Sequence, residues 1–330
     1  VTEMRIMVTG GLGVNGAFVT RLLVQKGMDV VVFDASGDRS LLGGDVDRIV
    51  VEAGDVRDPD SVRGAMSAHD VDRVIHLAAL LTPAAQADPL LALDVNVMGM
   101  RNVMVAAEQE GVDRVVFASS KAAYGPLLCS HGAPQYTPVT EEHPSKPRNF
   151  YDYTKIMCEG IGSTLGQQNG IAFAALRFAT IYGPGRMVRH QSRLLHSRLI
   201  ESALAGIPFA ADAPGGGDLD DLIYVGDAAD ALVAAVTTDR LRHDVYNIGS
   251  GQLNSLVTLA EAVRQVCPSA SLEINPSTSE TTAYASRFDC TRAKEDLGFV
   301  ATDLAESVRH YRDALQVLGP TLQATAESQR

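Results

Sequence analysis

Tyr151 and Lys155 stand four residues apart in a segment whose pattern predicts a helix, so their side chains share one face about one turn apart. A phenol is a weak base at neutral pH, and a neighbouring ammonium is the kind of group that favours its ionised form. Such a pair can move a proton to or from a substrate oxygen. The spacing alone is common, because Tyr is often half-buried and Lys often snorkels, so its meaning depends on what accompanies it. Here it is accompanied by Val8-Thr9-Gly10-Gly11-Leu12-Gly13-Val14-Asn15-Gly16, where a predicted strand meets a predicted helix and Gly10, Gly13 and Gly16 recur at every third position. Gly10 permits a tight turn, Gly13 lets backbone approach a pyrophosphate, and Gly16 allows close packing of helix on strand. Unpaired N–H groups at the helix start then face an anion, with Val14 and Asn15 of the loop among the expected cofactor contacts. Asp34 ends the next predicted strand, where a carboxylate can accept from ribose hydroxyls and would repel a 2'-phosphate. These residues predict NAD as hydride carrier in preference to NADP, with Arg39 close enough in sequence to leave NADP use open.

The elements that must position these groups are legible as alternating apolar runs and helical patterns. Met4 to Val8, Val30 to Phe33, Arg48 to Val51, Arg73 to Leu77, Val115 to Ala118 and Ala172 to Phe178 read as strands. Their near-continuous apolar character implies a parallel sheet covered on both faces. Helices are expected over Ala17 to Lys26, Asp60 to Ala68, Leu90 to Glu110 and Tyr151 to Gln168, three of them followed by Gly27, Gly111 and Gly170. Past Phe178 the rhythm changes, with turns at Tyr182-Gly183-Pro184-Gly185 and Pro214 to Gly217 and a helix from Gln191 to Ala205. The expected architecture is α/β: a Rossmann-type doubly wound parallel sheet with a second, smaller mixed substrate-binding lobe. Residues 1–180 form the dinucleotide domain, about 222–250 return to it, and 181–330 otherwise supply the small lobe.

Composition narrows the function classes. The chain has 330 residues, with 28 Lys and Arg against 40 Asp and Glu, a net charge of -12 that is the wrong sign for gripping nucleic acid or anionic membrane. No stretch is expected to span a bilayer, and the start at Val1-Thr2-Glu3-Met4 has no basic leader. Cys129, Cys158, Cys267 and Cys290 lie far apart without a C-x-x-C pair, which suggests neither a disulfide framework nor a metal site and fits a cytoplasmic protein.

Several motifs occur in order: Thr9-Gly10-Gly11, Gly54-Asp55-Val56, His76-Leu77-Ala78-Ala79, Asn96, Phe117-Ala118-Ser119-Ser120, Tyr151 with Lys155, and Arg177 before Tyr182-Gly183-Pro184. In these the chain resembles the extended short-chain dehydrogenase/reductase family, whose members include NAD-dependent nucleotide-sugar epimerases and dehydratases. The resemblance implies that Asp55 and Val56 lie by the adenine, Leu77, Ala78 and Ala79 along the cofactor, and Asn96 near its pocket. It also implies Ser120, rather than the adjacent Ser119, as the hydroxyl that works with Tyr151 and Lys155, and a homodimer built on the two long helices. His76 falls within a strand-end motif and reads as structural.

The resemblance weakens at the substrate. Thr180 stands where epimerases usually have Asn, and Asp220 where the family tends to place Arg. With Asp218 and Asp221, Asp220 makes a loop that would repel a diphosphate unless a cation intervenes. Lys121-Ala122 replaces the Asp-Glu pair of the sugar dehydratases, so dehydration is not expected. Ser119, Lys121, Thr180 and Arg186 are candidate substrate contacts, with Lys121 reading first as a solvated strand-end residue. Arg186, Arg189, His190 and Arg193 form a basic stretch that either binds a carboxylate or phosphate or is a solvated helix face. The sequence therefore points first to an NAD-dependent oxidoreductase acting on a secondary alcohol or ketone of a small sugar, sugar acid or hydroxy acid. A nucleotide-sugar epimerase with tightly bound NAD is the alternative, and an NAD-binding protein without turnover the third reading.

Overall fold

A computed structural model of the chain describes residues 4–186, 195–279 and 284–328. Of the basic stretch, Arg189, His190 and Arg193 lie outside these residues, as does the start of the helix expected from Gln191; the helix is described over Leu195–Leu204. Numbered in chain order, the strands of the first part are β1 (Arg5–Thr9), β2 (Asp29–Asp34), β3 (Val50–Ala53), β4 (Arg73–His76), β5 (Arg114–Ser120) and β6 (Ala172–Phe178). Those of the second part are β7 (Thr180–Tyr182), β8 (Phe209–Ala211), β9 (Asp220–Tyr224), β10 (Val245–Ile248), β11 (Leu253–Asn254) and β12 (Leu272–Ile274).

Seven strands form one parallel sheet in the order β10-β6-β5-β4-β1-β2-β3. Chain direction along the sheet reverses at β1, which pairs β2 on one side and β4 on the other. The apolar residues alternate between faces: Ile6, Val8, Val30, Val32 and Val116 join one core, Met7, Val31, Val74, Val115 and Phe117 the other. The first core is covered by helices Val14–Gln25 and Val225–Thr237, the second by Pro59–Ala68, Pro89–Gln109 and Phe150–Asn169. Each fully buried aliphatic side chain contributes about 1.5–3 kcal/mol, which is why strands covered on both faces read as unbroken apolar runs. A smaller sheet, β11-β9-β7, and the pair β12-β8 make up the second part. Thus β9 lies outside the main sheet, whereas β10 pairs with β6 inside it.

Three details differ from the sequence reading. The first helix starts at Val14, three residues early, because Gly13 already serves as its N-cap. β3 starts at Val50 because Gly43–Arg48 closes into a short 3-10 turn. Pro89–Gln109 is long and apolar enough to cross a membrane by length and composition, contrary to expectation, but 56% of its most apolar window is buried inside this fold. Its middle, Leu93–Met98, is wound as a π-helix, a widening that often accompanies functional positions. The expected glycine helix ends at Gly27, Gly111 and Gly170 all have positive φ.

The start of the Phe150–Asn169 helix is fixed by a capping box: Asn149 accepts from the Asp152 N–H at 3.0 Å, and the Asp152 carboxylate accepts from the Asn149 N–H at 3.3 Å. The Tyr284 hydroxyl adds a 2.8 Å donation to Asp152. Tyr151 therefore sits in a first turn held from three sides. Past the carboxyl end of β1, a Cβ placed on Gly16 would fall 2.2 Å from the Gly10 carbonyl oxygen. Gly16→Ala is accordingly expected to lower the urea unfolding free energy by about 1–3 kcal/mol, the range for overpacking a closed contact.

Candidate active site

A cleft of about 790 Å³ lies along the carboxyl ends of the sheet strands. Gly10, Gly13, Val14, Asn15, Gly16, Asp34, Asp55, Val56, Leu77, Ala78 and Ala79 line it together with Ser119, Ser120, Lys121, Tyr151, Lys155, Thr180 and Arg186. Asp34 ends β2 and Ser120 ends β5, three strand spacings apart through β1 and β4, or about 14 Å.

The dinucleotide end is built from close backbone approaches. Gly10 adopts φ +69°, and a Cβ there would lie 2.7 Å from the Ala78 nitrogen. No larger residue lets the first loop meet the strand-end segment Leu77–Ala79 so closely. Asp34 accepts from the Leu12 N–H at 2.9 Å and the Ser36 N–H at 2.8 Å, which fixes its carboxylate at the cleft wall. Asp55 accepts from the Arg57 side chain at 2.6 and 2.9 Å, and that guanidinium holds its carboxyl below the usual value. Arg57 also lines the cleft and was missed by the sequence reading; its position two residues past Asp55 was the available signal. A loop cradled by glycine, a helix start and an anchored ribose-facing carboxylate fit NAD, and no basic group pairs with Asp34 among the described residues.

Asn96 does not line the cleft. Buried in the π-helical turn, it accepts from the Leu80 N–H at 2.7 Å and donates to the Leu80 carbonyl at 3.1 Å and the Thr154 hydroxyl at 3.1 Å. It holds the strand-end segment Leu77–Leu80 from behind. His76 is likewise internal: its Nδ1 is 2.7 Å from the Thr9 hydroxyl, and its Nε2 is buried without a partner. Burial, and secondarily the charge of Lys155, push this imidazole down to about 3.

At the reacting end, the Lys155 ammonium donates to the Ala118 carbonyl at 2.7 Å and lies 4.6 Å from the Phe117 ring centroid and 5.4 Å from that of Tyr151. The Ser120 hydroxyl oxygen accepts from the Ala122 N–H at 3.1 Å, which leaves its own hydrogen to be donated into the cleft. Ser119, expected as a substrate contact, is committed elsewhere: its hydroxyl donates to Glu159 at 2.5 Å. Glu159 in turn is paired with Arg177 at 2.6 Å in a buried bidentate contact.

The acidic loop also differs from expectation. Asp220 meets the Lys121 ammonium at 2.5 Å and accepts from the Thr180 hydroxyl at 2.6 Å and the Ser286 N–H at 2.9 Å. Asp221 is buried and accepts from Ser250, Gly251 and Phe288, burial pushing it up to about 6. Asp218 accepts from Ser279. A cation therefore does intervene at Asp220, whereas Asp218 and Asp221 are bonded to neutral donors, and none of the three carboxylates lines the cleft. Lys121 is tied to the second part of the fold, so neither a freely solvated lysine nor an uncommitted anion contact describes it.

Residues 6–249 match the profile of the NAD dependent epimerase/dehydratase family. The chain is 30% identical over 279 residues to a UDP-glucose 4-epimerase of Lactobacillus helveticus, covering 80% of this chain and 82% of that protein. Among solved structures it resembles the Thermus thermophilus UDP-glucose 4-epimerase in complex with NAD, with TM-score 0.78, 27% identity and coverage of 95% and 99%. It also resembles the UDP-glucose 4-epimerase of Stenotrophomonas maltophila with bound NAD and formylated UDP-arabinopyranose, with TM-score 0.81, 25% identity and coverage of 96% and 99%.

The buried imidazole makes a pH prediction. An unfolded His takes up its proton near pH 6.5 and folded His76 only near 3, so stability from this group is present above 6.5 and is lost as pH falls through that window. Asp221, raised to about 6, opposes it between about 6 and 4. Urea titrations from pH 7 to 4.5 should therefore give a slope for His76→Gln that is shallower than that of the parent by up to about 1.4 kcal/mol per pH unit.

Proposed function

Since this chain belongs to the NAD dependent epimerase/dehydratase family and is an NAD-dependent enzyme of the extended short-chain dehydrogenase/reductase type, we propose that it is a nucleotide-sugar epimerase inverting a secondary alcohol of the sugar. The sequence reading put net oxidation of a small metabolite first. The relatives that share four-fifths of its length favour the epimerase, and the observation that carries the choice is the neutralisation of Asp220 by Lys121. With that charge paired, the acidic loop opposes a diphosphate less than its three carboxylates alone would.

NAD, when bound, supplies reversible hydride acceptance. The Tyr151 oxygen takes the proton of the sugar hydroxyl as its carbon is oxidised, and returns a proton when the ketone is reduced on its other face. Lys155, fixed on the Ala118 carbonyl, favours the phenolate without drifting from the ring. Ser120 donates its hydroxyl hydrogen to the same substrate oxygen and steadies its charge. Asp34 holds the adenosine ribose and the glycine loop the cofactor diphosphate. Lys121 and Thr180, both bonded to Asp220, line the cleft and would meet the sugar, and no paired carboxylate for water elimination follows Ser120.

We assign a homodimer through Pro89–Gln109 and Phe150–Asn169, supported by the exposed apolar side chains Leu90 and Met98 on one and Tyr153 and Met157 on the other. Light scattering should report twice the chain mass, and Met98→Glu with Met157→Glu should halve it. The four free cysteines suit the reducing cytoplasm. Protein purified with its NAD should interconvert UDP-glucose and its 4-epimer without accumulating NADH. Tyr151→Phe should lower kcat by about 10²–10⁴-fold while NAD affinity holds. Net NADH from simple alcohols, with no binding of UDP-sugars, would return the net dehydrogenase to first place.

A further inference from the structure

Arg186 follows the Gly183-Pro184-Gly185 turn that leaves β7. Gly185 has φ +87°, and a Cβ there would lie 2.8 Å from the Leu41 side chain, so this turn is pressed against the segment after β2. The turn thereby lays Arg186 over the glycine loop, across 171 residues of sequence: its Nη2 donates to the Asn15 side-chain oxygen at 3.3 Å. Asn15 lies in the first turn of the Val14–Gln25 helix, whose free N–H groups form the anion-facing end.

The guanidinium is underused where it stands. Part of the residue opens to the cleft, yet its Nε is buried with no hydrogen-bond partner among the described residues. The ionisable neighbours that support its charge are the phenols of Tyr311 and Tyr151, not carboxylates. Burial lowers it to about 10, which leaves it charged at neutral pH. A charged fork held between a helix start and the reacting Tyr151, without an anionic partner among the described residues, is suited to a planar contact with two phosphate oxygens.

We infer that Arg186 is a cofactor clamp: its guanidinium, oriented by Asn15, grips the diphosphate of NAD beside the glycine loop and ties the second part of the fold to the bound dinucleotide. This moves Arg186 from the substrate contacts expected from sequence to the cofactor. An enzyme that must keep its dinucleotide through repeated turnovers gains retention from such a clamp, although the inference rests only on NAD binding and not on the identity of the sugar.

Calorimetric titration of NAD and ADP-ribose, with adenosine measured by displacement, separates the diphosphate from the rest of the ligand. Arg186→Gln should weaken NAD and ADP-ribose alike by about tenfold to a hundredfold, the range for a charge-assisted hydrogen bond, and leave adenosine within twofold. Arg186→Lys, which keeps charge but not the fork, should fall between. Should Arg186→Gln not fold, Asn15→Ala should still weaken ADP-ribose selectively, by several-fold. Equal losses for adenosine and ADP-ribose would overturn the clamp. So would unchanged ADP-ribose affinity accompanied by weaker UDP-sugar binding, which would place Arg186 on the substrate. Either result leaves the epimerase assay above unaffected as a separate test.

Discussion

The ammonium of Lys155 is gripped by the carbonyl of Ala118 and flanked by two aromatic rings, those of Phe117 and Tyr151. This one contact joins a long helix to the strand that carries Ser120, and it holds a positive charge beside the Tyr151 ring. A lysine in this nearly buried place must find oxygen and π-face partners, since an unpaired charge there would be expensive. Under the proposed function, the same interaction anchors the helix and places the charge where Tyr151 would use it. The helix start is equally constrained, because the Asn149–Asp152 box and the Tyr284 hydroxyl leave Tyr151 little freedom to turn away.

Behind the cleft, the strand ends are held by a polar network in place of a purely apolar core. Ser119, Glu159 and Arg177 form its centre; the Arg177 guanidinium lies 4.4 Å from the Tyr124 ring centroid, and Tyr124 donates to Asn247 at 2.7 Å. Asn247 belongs to β10, so the network crosses from β5 through β6 to the sheet edge. A buried pair of this sort offers little net stability, but removing one partner strands the other, which makes its geometry hard to change. It commits the Ser119 hydroxyl to Glu159, while the Ser120 hydroxyl hydrogen stays free for the cleft.

The second part of the fold contributes charges that reshape the cleft. Lys121 reaches from the end of β5 to Asp220 on β9, and Arg186 reaches back from the turn after β7 to Asn15. The first contact pairs a carboxylate of the acidic loop with a cleft-lining ammonium; the second leaves a guanidinium beside the start of the Val14–Gln25 helix. Both contacts span the gap between the two parts of the chain, so the electrostatics of the cleft are a property of their docking.

Much of this protein was legible in one dimension. A parallel strand buried on both faces must be apolar along its length, a phosphate-facing turn must be made of glycine, and residues four apart on a helix must share a face. These are consequences of local backbone geometry, and they gave β1, β2, β4 and β6, the Gly10–Gly16 loop and the Tyr151–Lys155 pair. The glycine loop and the helix pair meet in one cleft because parallel strands bring their carboxyl ends to the same edge. Short strands such as β7, β9 and β11 carry too few residues to show a period, and the π-helical turn that takes Asn96 out of the cleft has no compositional mark. The partners of Asp220 and Arg186 lie 99 and 171 residues away. Only the folded chain decides such pairs, because a charge is cancelled or left open by whatever stands within a few ångströms of it, and sequence distance carries no record of that.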